Sequence, residues 1–213
     1  MLLVFDLDGT LVDSRRDLAD SANALIVERG GRALPIGAIT AMVGEGAALL
    51  VRRALTAAGL DPELETALPR FLDLYDERLL AHTVPYAGTT EMLSSLAACA
   101  TLAVLTNKPQ RHTDRLLDAL ALRQYFDDVM GGDSPHGRKP DPAGLRHLMS
   151  GAGVNEANTV LVGDSAIDLR TARAAGVRIC LVRYGFGFPE AELDGTELIA
   201  GQASDIPALM KTR

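Results

Sequence analysis

The chain has only two cysteines, Cys99 and Cys180, each set among apolar neighbours in Leu96-Ala97-Ala98-Cys99-Ala100 and Ile179-Cys180-Leu181-Val182. They make no disulfide framework and read as small core residues. Positive charge is also scarce: 21 Lys and Arg stand against 28 Asp and Glu, for a formal net charge of -7. Such a field repels phosphate backbones and anionic lipid, so neither nucleic acid nor a membrane is an expected partner. No apolar stretch approaches the length of a bilayer span. The opening Met1-Leu2-Leu3-Val4-Phe5-Asp6 lacks the basic start of a secretory signal. Together these absences predict a cytoplasmic protein. The histidines, His82, His112, His136 and His147, are scattered and form no cluster with cysteine, which argues against a site for a soft metal. No internal repeat or low-complexity tract is visible.

What is present is apolar content, 47% of 213 residues, enough for one sizeable core and a modest insertion. Four short runs, Leu2 to Phe5, Leu102 to Leu105, Val160 to Val162 and Ile179 to Val182, do not alternate with polar residues, as expected of strands buried on both faces of a parallel sheet. Segments of helical period lie between them: Thr89 to Ala98, Arg111 to Ala121, Pro142 to Ser150 and Ile167 to Ala175. The alternation predicts a doubly wound α/β fold, a Rossmann-like core on a parallel sheet. Asp141-Pro142 predicts a helix start with Asp as N-cap and Pro at the first helical position.

The first run is followed by a long helical block. Leu18, Ala22, Leu25 and Ile26 share one face before Gly30, as do Ala47, Val51, Ala54, Leu55 and Ala58 before Gly59, and a third helix is expected over Pro62 to Ala81. The expected division is therefore a core of residues 1–14 and 83–213 with a helical insertion, 15–82.

Polar residues gather where the apolar runs end. Asp6 and Asp8 follow the first, Thr106 and Asn107 the second, Asp164 and Asp168 the third, and Lys139 comes from a loop just before a helix start. The carboxyl ends of parallel strands form the ligand crevice in open sheets. A carboxylate nucleophile, an acid, oxygen donors for a hard cation and cationic support for phosphoryl oxygens are what phosphoryl transfer needs. Carboxylates at Asp6, Asp164 and Asp168 suit magnesium, which takes oxygen ligands and keeps several waters.

Asp6-Leu7-Asp8-Gly9-Thr10-Leu11-Val12-Asp13-Ser14, Thr106-Asn107-Lys108-Pro109, Arg138-Lys139-Pro140 and Gly163-Asp164-Ser165-Ala166-Ile167-Asp168 resemble, in order, the four motifs of haloacid dehalogenase superfamily phosphatases. The likeness covers essentially the whole chain, and the insertion falls where that family carries its small helical cap. Gly131-Gly132-Asp133-Ser134 and Tyr184-Gly185-Phe186-Gly187 resemble its phosphoglycolate phosphatase branch. The resemblance implies that Asp6 attacks phosphorus and forms an aspartyl-phosphate, while Asp8 protonates the leaving oxygen and then deprotonates water. It also implies that Thr106, Asn107 and adjacent backbone hold phosphoryl oxygens and that Lys139 offsets charge. Mg2+ would sit against Asp6, the carbonyl of Asp8, and Asp164, with Asp168 supporting that shell directly or through water, and Thr10 orienting Asp8. The implied substrate is a small phosphorylated metabolite, most simply 2-phosphoglycolate, and the implied assembly a monomer or homodimer.

Each residue also has a plainer reading. Asp6 and Asp8 are common turn residues, Thr106-Asn107 can cap a helix, and Lys139 can be a solvated lysine. Lys108 reads as a surface residue, and Asp13 and Ser14 as a hinge and cap for the next helix. Gly44-Glu45-Gly46 resembles a cap loop that dips into the site, or is a simple loop. Arg52 and Arg53 lie off the apolar face of their helix; they are either solvated or the cap cations that a carboxylated substrate would need.

Other functions are disfavoured residue by residue. A hydrolytic dehalogenase would lack Asp8 and need no metal. A phosphonate hydrolase would need a cap lysine, and residues 14–84 contain none. Sugar-phosphate mutases of the superfamily generally carry Glu where this chain has Gly163. A binding module on the same fold would have no need of the intact set. Phosphatases of pyrophosphate, nucleotides or amino-sugar phosphates share all four motifs.

Overall fold

The structure, a computed structural model, describes residues 1–211. Its centre is a six-stranded parallel sheet in the order β5-β4-β1-β6-β7-β8, built from β1 (Leu2–Phe5), β4 (Thr101–Leu105), β5 (Asp128–Met130), β6 (Thr159–Gly163), β7 (Arg178–Val182) and β8 (Leu198–Ala200). β1 is central, with Leu2 to Phe5 paired to Thr101 to Val104 on one side and Thr159 to Val162 on the other. The fold is the Rossmann-like α/β architecture expected from the unalternating runs.

Side chains leave a strand on alternate faces, so each run feeds two cores. Leu3, Phe5, Val104, Val160, Val162, Cys180 and Val182 join one cluster, covered by α5 (Thr89–Ala97), α6 (Gln110–Ala119) and α9 (Ile206–Leu209). Leu2, Val4, Ala103, Leu105, Leu161, Ile179 and Leu181 join the other, under α7 (Ala143–Gly151) and α8 (Ala166–Ala175). Cys180 is buried as expected, but Cys99 is exposed: it lies in the turn after α5, beyond the last residue facing the sheet. α7 begins at Ala143, one residue later than anticipated, and Asp141 still caps it by accepting the Ala143 N–H at 2.8 Å. The edge strands β5 and β8 escaped the sequence reading because each has three residues and carries no long apolar run.

Between β1 and β4 the chain leaves through β2 (Val12–Asp13) and forms α1 (Arg15–Glu28), α2 (Ile36–Thr40), α3 (Ala47–Ala57) and α4 (Leu64–Arg78). It returns through β3 (Val84–Pro85), which pairs antiparallel with β2. Departure and return are thus side by side. A second tie lies next to them: buried Asp17 of α1 accepts hydrogen bonds from the N–H of His82 (3.0 Å), the N–H of Thr83 (2.8 Å) and the Thr83 hydroxyl (2.7 Å). Burial pushes the Asp17 carboxyl up, but these donors outweigh it and hold it below its ordinary value. No described helix is long and apolar enough to cross a membrane.

Candidate active site

The sheet delivers its polar residues to one edge. Asp6 directly follows β1, and its N–H continues the ladder to Val162 O at 2.9 Å; Thr106 directly follows β4, and Asp164 follows β6. Asp168 sits in the first turn of α8, where a reciprocal cap with Ser165 fixes it: Asp168 Oδ2 accepts from Ser165 N–H at 3.1 Å and Ser165 Oγ at 2.6 Å. Lys139, from the loop before α7, reaches Asp168 Oδ1 at 2.6 Å and Asp6 Oδ1 at 2.9 Å. The Leu7 N–H also donates to Asp6 Oδ1, at 2.7 Å. Asp6, Lys139, Asp164 and Asp168 are all buried.

Carboxylate oxygens of Asp6, Asp164 and Asp168 come within 4.8 Å of one another. One ammonium does not balance three buried carboxylates. Desolvation, and then charge repulsion, push Asp164 up to about 8. Asp6 rises to about 6, chiefly by burial and against the pull of Lys139. Burial disfavours the charged form of Lys139, but Asp168 and Asp6 more than offset it and raise the lysine. A buried group of oxygen anions with surplus negative charge fits a hard divalent cation, whose binding would keep these groups ionised.

Glycines make the crowding possible. Gly9 turns the chain after Asp8 at φ +87°, and a Cβ there would fall 2.4 Å from Asp164 Oδ2. A Cβ at Gly185 would fall 2.2 Å from Asp164 Cβ. Gly185 thereby lets the loop close on Asp164, to which the Phe186 N–H donates at 2.6 Å. At Gly163 a Cβ would stand 2.3 Å from Asp168 Cγ, so the glutamate of the mutase pattern has no room without displacing Asp168.

Several expectations are corrected. Thr10 does not orient Asp8; its hydroxyl donates to Asp164 Oδ1 at 3.3 Å, because the Gly9 turn carries it towards β6. Ser14 supplies no side-chain cap to α1; its hydroxyl donates instead to Asp8 Oδ1 at 2.5 Å. Lys108 is not a surface residue. It is buried, with Nζ 2.9 Å from Asp8 Oδ2, 3.0 Å from Asp8 Oδ1 and 2.6 Å from the hydroxyl of Tyr75 on α4. The Asn107 amide donates at 2.9 Å both to Gly44 O and to Lys139 O, which ties the cap loop to the lysine loop.

The Gly44-Glu45-Gly46 loop does reach the core: a Cβ at Gly46 would meet Asn107 O and Arg138 at 3.4 Å, and one at Gly44 would meet Ile167 at 3.2 Å. Of the two readings of Arg52 and Arg53, solvated or cap cations, their positions support the solvated one. α3 turns Leu50, Val51, Ala54 and Leu55 inward, leaving Arg52 exposed and Arg53 paired with Glu45 at 2.5 Å. The cleft, about 520 Å³ and open to solvent, runs from Asp6, Asp8 and Thr106 to a largely apolar wall from the helical insertion, including Leu50, Phe71 and Tyr75. Lys108 and Tyr75 were missed. The only signal for Lys108 was its scarcity, one of Lys108, Lys139 and Lys211, together with its place directly beyond a strand end.

Residues 3–182 match the haloacid dehalogenase-like hydrolases, and the chain belongs to that family. Within it, the chain is 43% identical over 192 residues to the phosphoglycolate phosphatase of Rhodospirillum rubrum, covering 86% of this chain and 80% of that one. It is 37% identical over 212 residues to a plasmid-encoded phosphoglycolate phosphatase of Cupriavidus necator, covering 98% and 92%. The crystal structure of a predicted phosphoglycolate phosphatase from Haemophilus somnus superposes with a TM-score of 0.91 at 30% identity, over 99% of this chain and 97% of that one.

Proposed function

We propose that the chain is a phosphoric monoester hydrolase that converts 2-phosphoglycolate to glycolate and inorganic phosphate through a phosphorylated Asp6. The observation that carries the chemistry is the buried contact of Lys139 Nζ with Asp6 Oδ1, where Asp6 lines a cleft open to solvent. The names of the relatives supply the substrate.

Asp6 Oδ1 is engaged by Leu7 N–H and Lys139, which leaves Oδ2 to attack phosphorus in line. As the P–O bond to the leaving group breaks, Asp8 delivers a proton to the departing oxygen. In the second half Asp8 takes a proton from water, the hydroxyl adds to phosphorus, and the P–O bond to Asp6 breaks to release phosphate. Ser14 and Lys108 fix the Asp8 carboxylate for both transfers. The Thr106 hydroxyl accepts from Lys108 N–H at 3.2 Å and has its own proton to give to a phosphoryl oxygen. Lys139, held by Asp168, stays charged beside the nucleophile.

Mg2+, the cation we assign to Asp6, Asp164 and the carbonyl of Asp8, supplies charge compensation for the phosphoryl oxygens. Asp168 Oδ1 and Oδ2 are engaged by Lys139 and Ser165, so Asp168 acts as the anchor of Lys139. Residues 15–82 serve as a cap that excludes water, moving about the paired β2 and β3.

The test is phosphate release from a panel of phosphate monoesters with Mg2+ and with chelator. The highest kcat/KM is expected for 2-phosphoglycolate, with none under chelation. A higher kcat/KM for a sugar, amino-sugar or nucleotide phosphate overturns the substrate, and turnover under chelation overturns the metal.

A further inference from the structure

The wall opposite the phosphoryl end of the cleft is apolar, with Leu18, Val43, Leu50, Phe71 and Leu72 contributing carbon. Against it stand two polar groups that the phosphoryl chemistry does not use directly, the Lys108 ammonium and the Tyr75 hydroxyl. Lys108 comes from the core and Tyr75 from α4, and they meet at 2.6 Å. The ammonium also lies 4.6 Å from the Tyr75 ring centroid, and the Tyr75 ring stacks on Phe71 at 6.0 Å. Lys108 has one carboxylate partner, Asp8, whereas Lys139 has two. Isolating a buried lysine against one carboxylate and an apolar wall is expensive unless a further anion shares it. The Tyr75 hydroxyl accepts from Lys108 and has its own proton left to donate. Burial raises Tyr75 well above the ordinary phenol range, so that proton is retained at any working pH.

We infer that Lys108 and Tyr75 form the leaving-group subsite and select esters whose leaving group carries a carboxylate on the carbon attached to the ester oxygen. This rests on the phosphatase assignment above and names the residues that set its substrate class. Asp8 must contact the ester oxygen to protonate it, and Lys108 Nζ is 2.9 Å from Asp8. In a glycolate leaving group the carboxyl carbon lies about 2.4 Å from that oxygen by ordinary bond geometry. A carboxylate so close to the ester oxygen falls beside Nζ, and the Tyr75 proton completes a second donor. A longer chain would press its anion into Phe71 and Leu72. A neutral leaving group would leave the two donors as they are and gain nothing from them.

The experiment compares kcat/KM for 2-phosphoglycolate and for ethyl phosphate, its near-isostere without charge, in the wild type, Lys108→Met, Lys108→Arg and Tyr75→Phe. Phosphorylated hydroxy acids with the carboxylate one carbon further out complete the set. Hydrogen bonds to charged groups set the expected scale. Lys108→Met should cut the ratio of 2-phosphoglycolate to ethyl phosphate by about 10- to 100-fold. Tyr75→Phe should cut it by about 2- to 10-fold. Lys108→Arg, which keeps the cation, should restore part of what Lys108→Met loses.

Equal losses on both esters in Lys108→Met overturn the inference, since Lys108 would then act only through Asp8. If that variant does not fold, an unchanged ratio in Tyr75→Phe overturns it. A wild type that prefers another ester with its carboxylate on the carbon attached to the ester oxygen, with the preference lost in Lys108→Met, removes 2-phosphoglycolate as the substrate but keeps the subsite, whereas a preference for the carboxylate one carbon further out overturns the inference. A wild type indifferent to leaving-group charge removes both.

Discussion

Two buried lysines flank Asp6 and Asp8, and in the proposed mechanism the contrast between them separates chemistry from specificity. At the phosphoryl end, the Lys139 side chain is 2% exposed and lies between Asp6 and Asp168, both fixed to the core by a strand and a capped helix. At the leaving-group end, the Lys108 side chain is 3% exposed and bridges Asp8 of the core to Tyr75 of the helical insertion. The first arrangement is rigid because all its partners belong to one packed unit. The second spans a boundary that two short strands and the Asp17 tie hold together, and cap movement would change its partners. Under the proposed mechanism, a site built this way would keep bond-making atoms in place while the surface that senses the rest of the substrate moves.

The sharpest way to break that contrast is at the nucleophile. Asp6→Asn preserves shape and removes the attacking oxygen, so turnover should fall by more than about 10⁴-fold for every ester, carboxylated or neutral. A selective loss, or a folded variant with substantial activity, would mean that the two ends are not separable in this manner. Asp8→Asn comes next. General acid catalysis contributes about 10²–10⁴-fold, and the loss should shrink for nitrophenyl phosphate, whose leaving group needs little protonation. Equal losses on activated and unactivated esters would remove Asp8 from the acid role.

The phosphoryl end was legible in the sequence and the leaving-group end was not, for a physical reason. Strand ends and motif spacing place Asp6, Thr106 and Asp164 on one edge, because parallel strands all present their carboxyl ends to the same crevice. Lys139 comes through its motif in the same way. Lys108 lies two residues beyond Thr106, where the chain enters a helix, and the direction of its side chain depends on Tyr75, 33 residues away in a separate element. Nothing local encodes that meeting. Thr10 and Ser14 show the same limit: each is where the motif puts it, but their hydroxyls choose partners that only the folded turn around Gly9 decides. Cys99 failed for a simpler reason, since an apolar neighbourhood at a helix end does not say which face the last residue takes.

Lys139→Ala should cost about 10²–10³ in rate, close to the value of one donor at a site of developing negative charge. The loss should be the same for 2-phosphoglycolate and ethyl phosphate, in contrast to Lys108→Met. A loss under tenfold would make Lys139 structural. The cation is tested by stability. Without it, Asp164 is raised to about 8 and Asp6 to about 6, so the folded protein holds protons that the unfolded chain has already released. The stability these groups contribute is full below the ordinary carboxylate range and is lost as pH rises through 6 and then 8. Mg2+ held as proposed by these carboxylates would favour their ionised forms and should offset that loss. At a hundredfold excess over its Kd it should add about 2.7 kcal/mol, a Tm increase of about 5–10 °C at pH 8 and much less at pH 5. An equal Tm increase at both pH values, or none in Asp164→Ala and wild type alike, would remove the carboxylate cluster from cation binding.

The smallest effects should come from Arg52→Ala and Arg53→Ala, and their smallness is what places specificity inside the cleft. α3 buries Leu50, Val51, Ala54 and Leu55, both arginines lie off that face and neither lines the cleft, and the side chains of Arg53 and Glu45 are 39% and 40% exposed. A pair that open to water contributes about 0–1 kcal/mol, because solvent screens it and two long side chains lose freedom to form it. Each variant should therefore change kcat/KM by less than about fivefold, with no difference between 2-phosphoglycolate and ethyl phosphate. The measurement is the same substrate ratio used for Lys108, so the three residues share one scale. A selective loss above tenfold for the carboxylated ester in either arginine variant would show that the outer face of α3 swings over the crevice during turnover. The leaving-group carboxylate would then be bound by the cap surface, and the buried lysine at that end would be left with Asp8 as its only business.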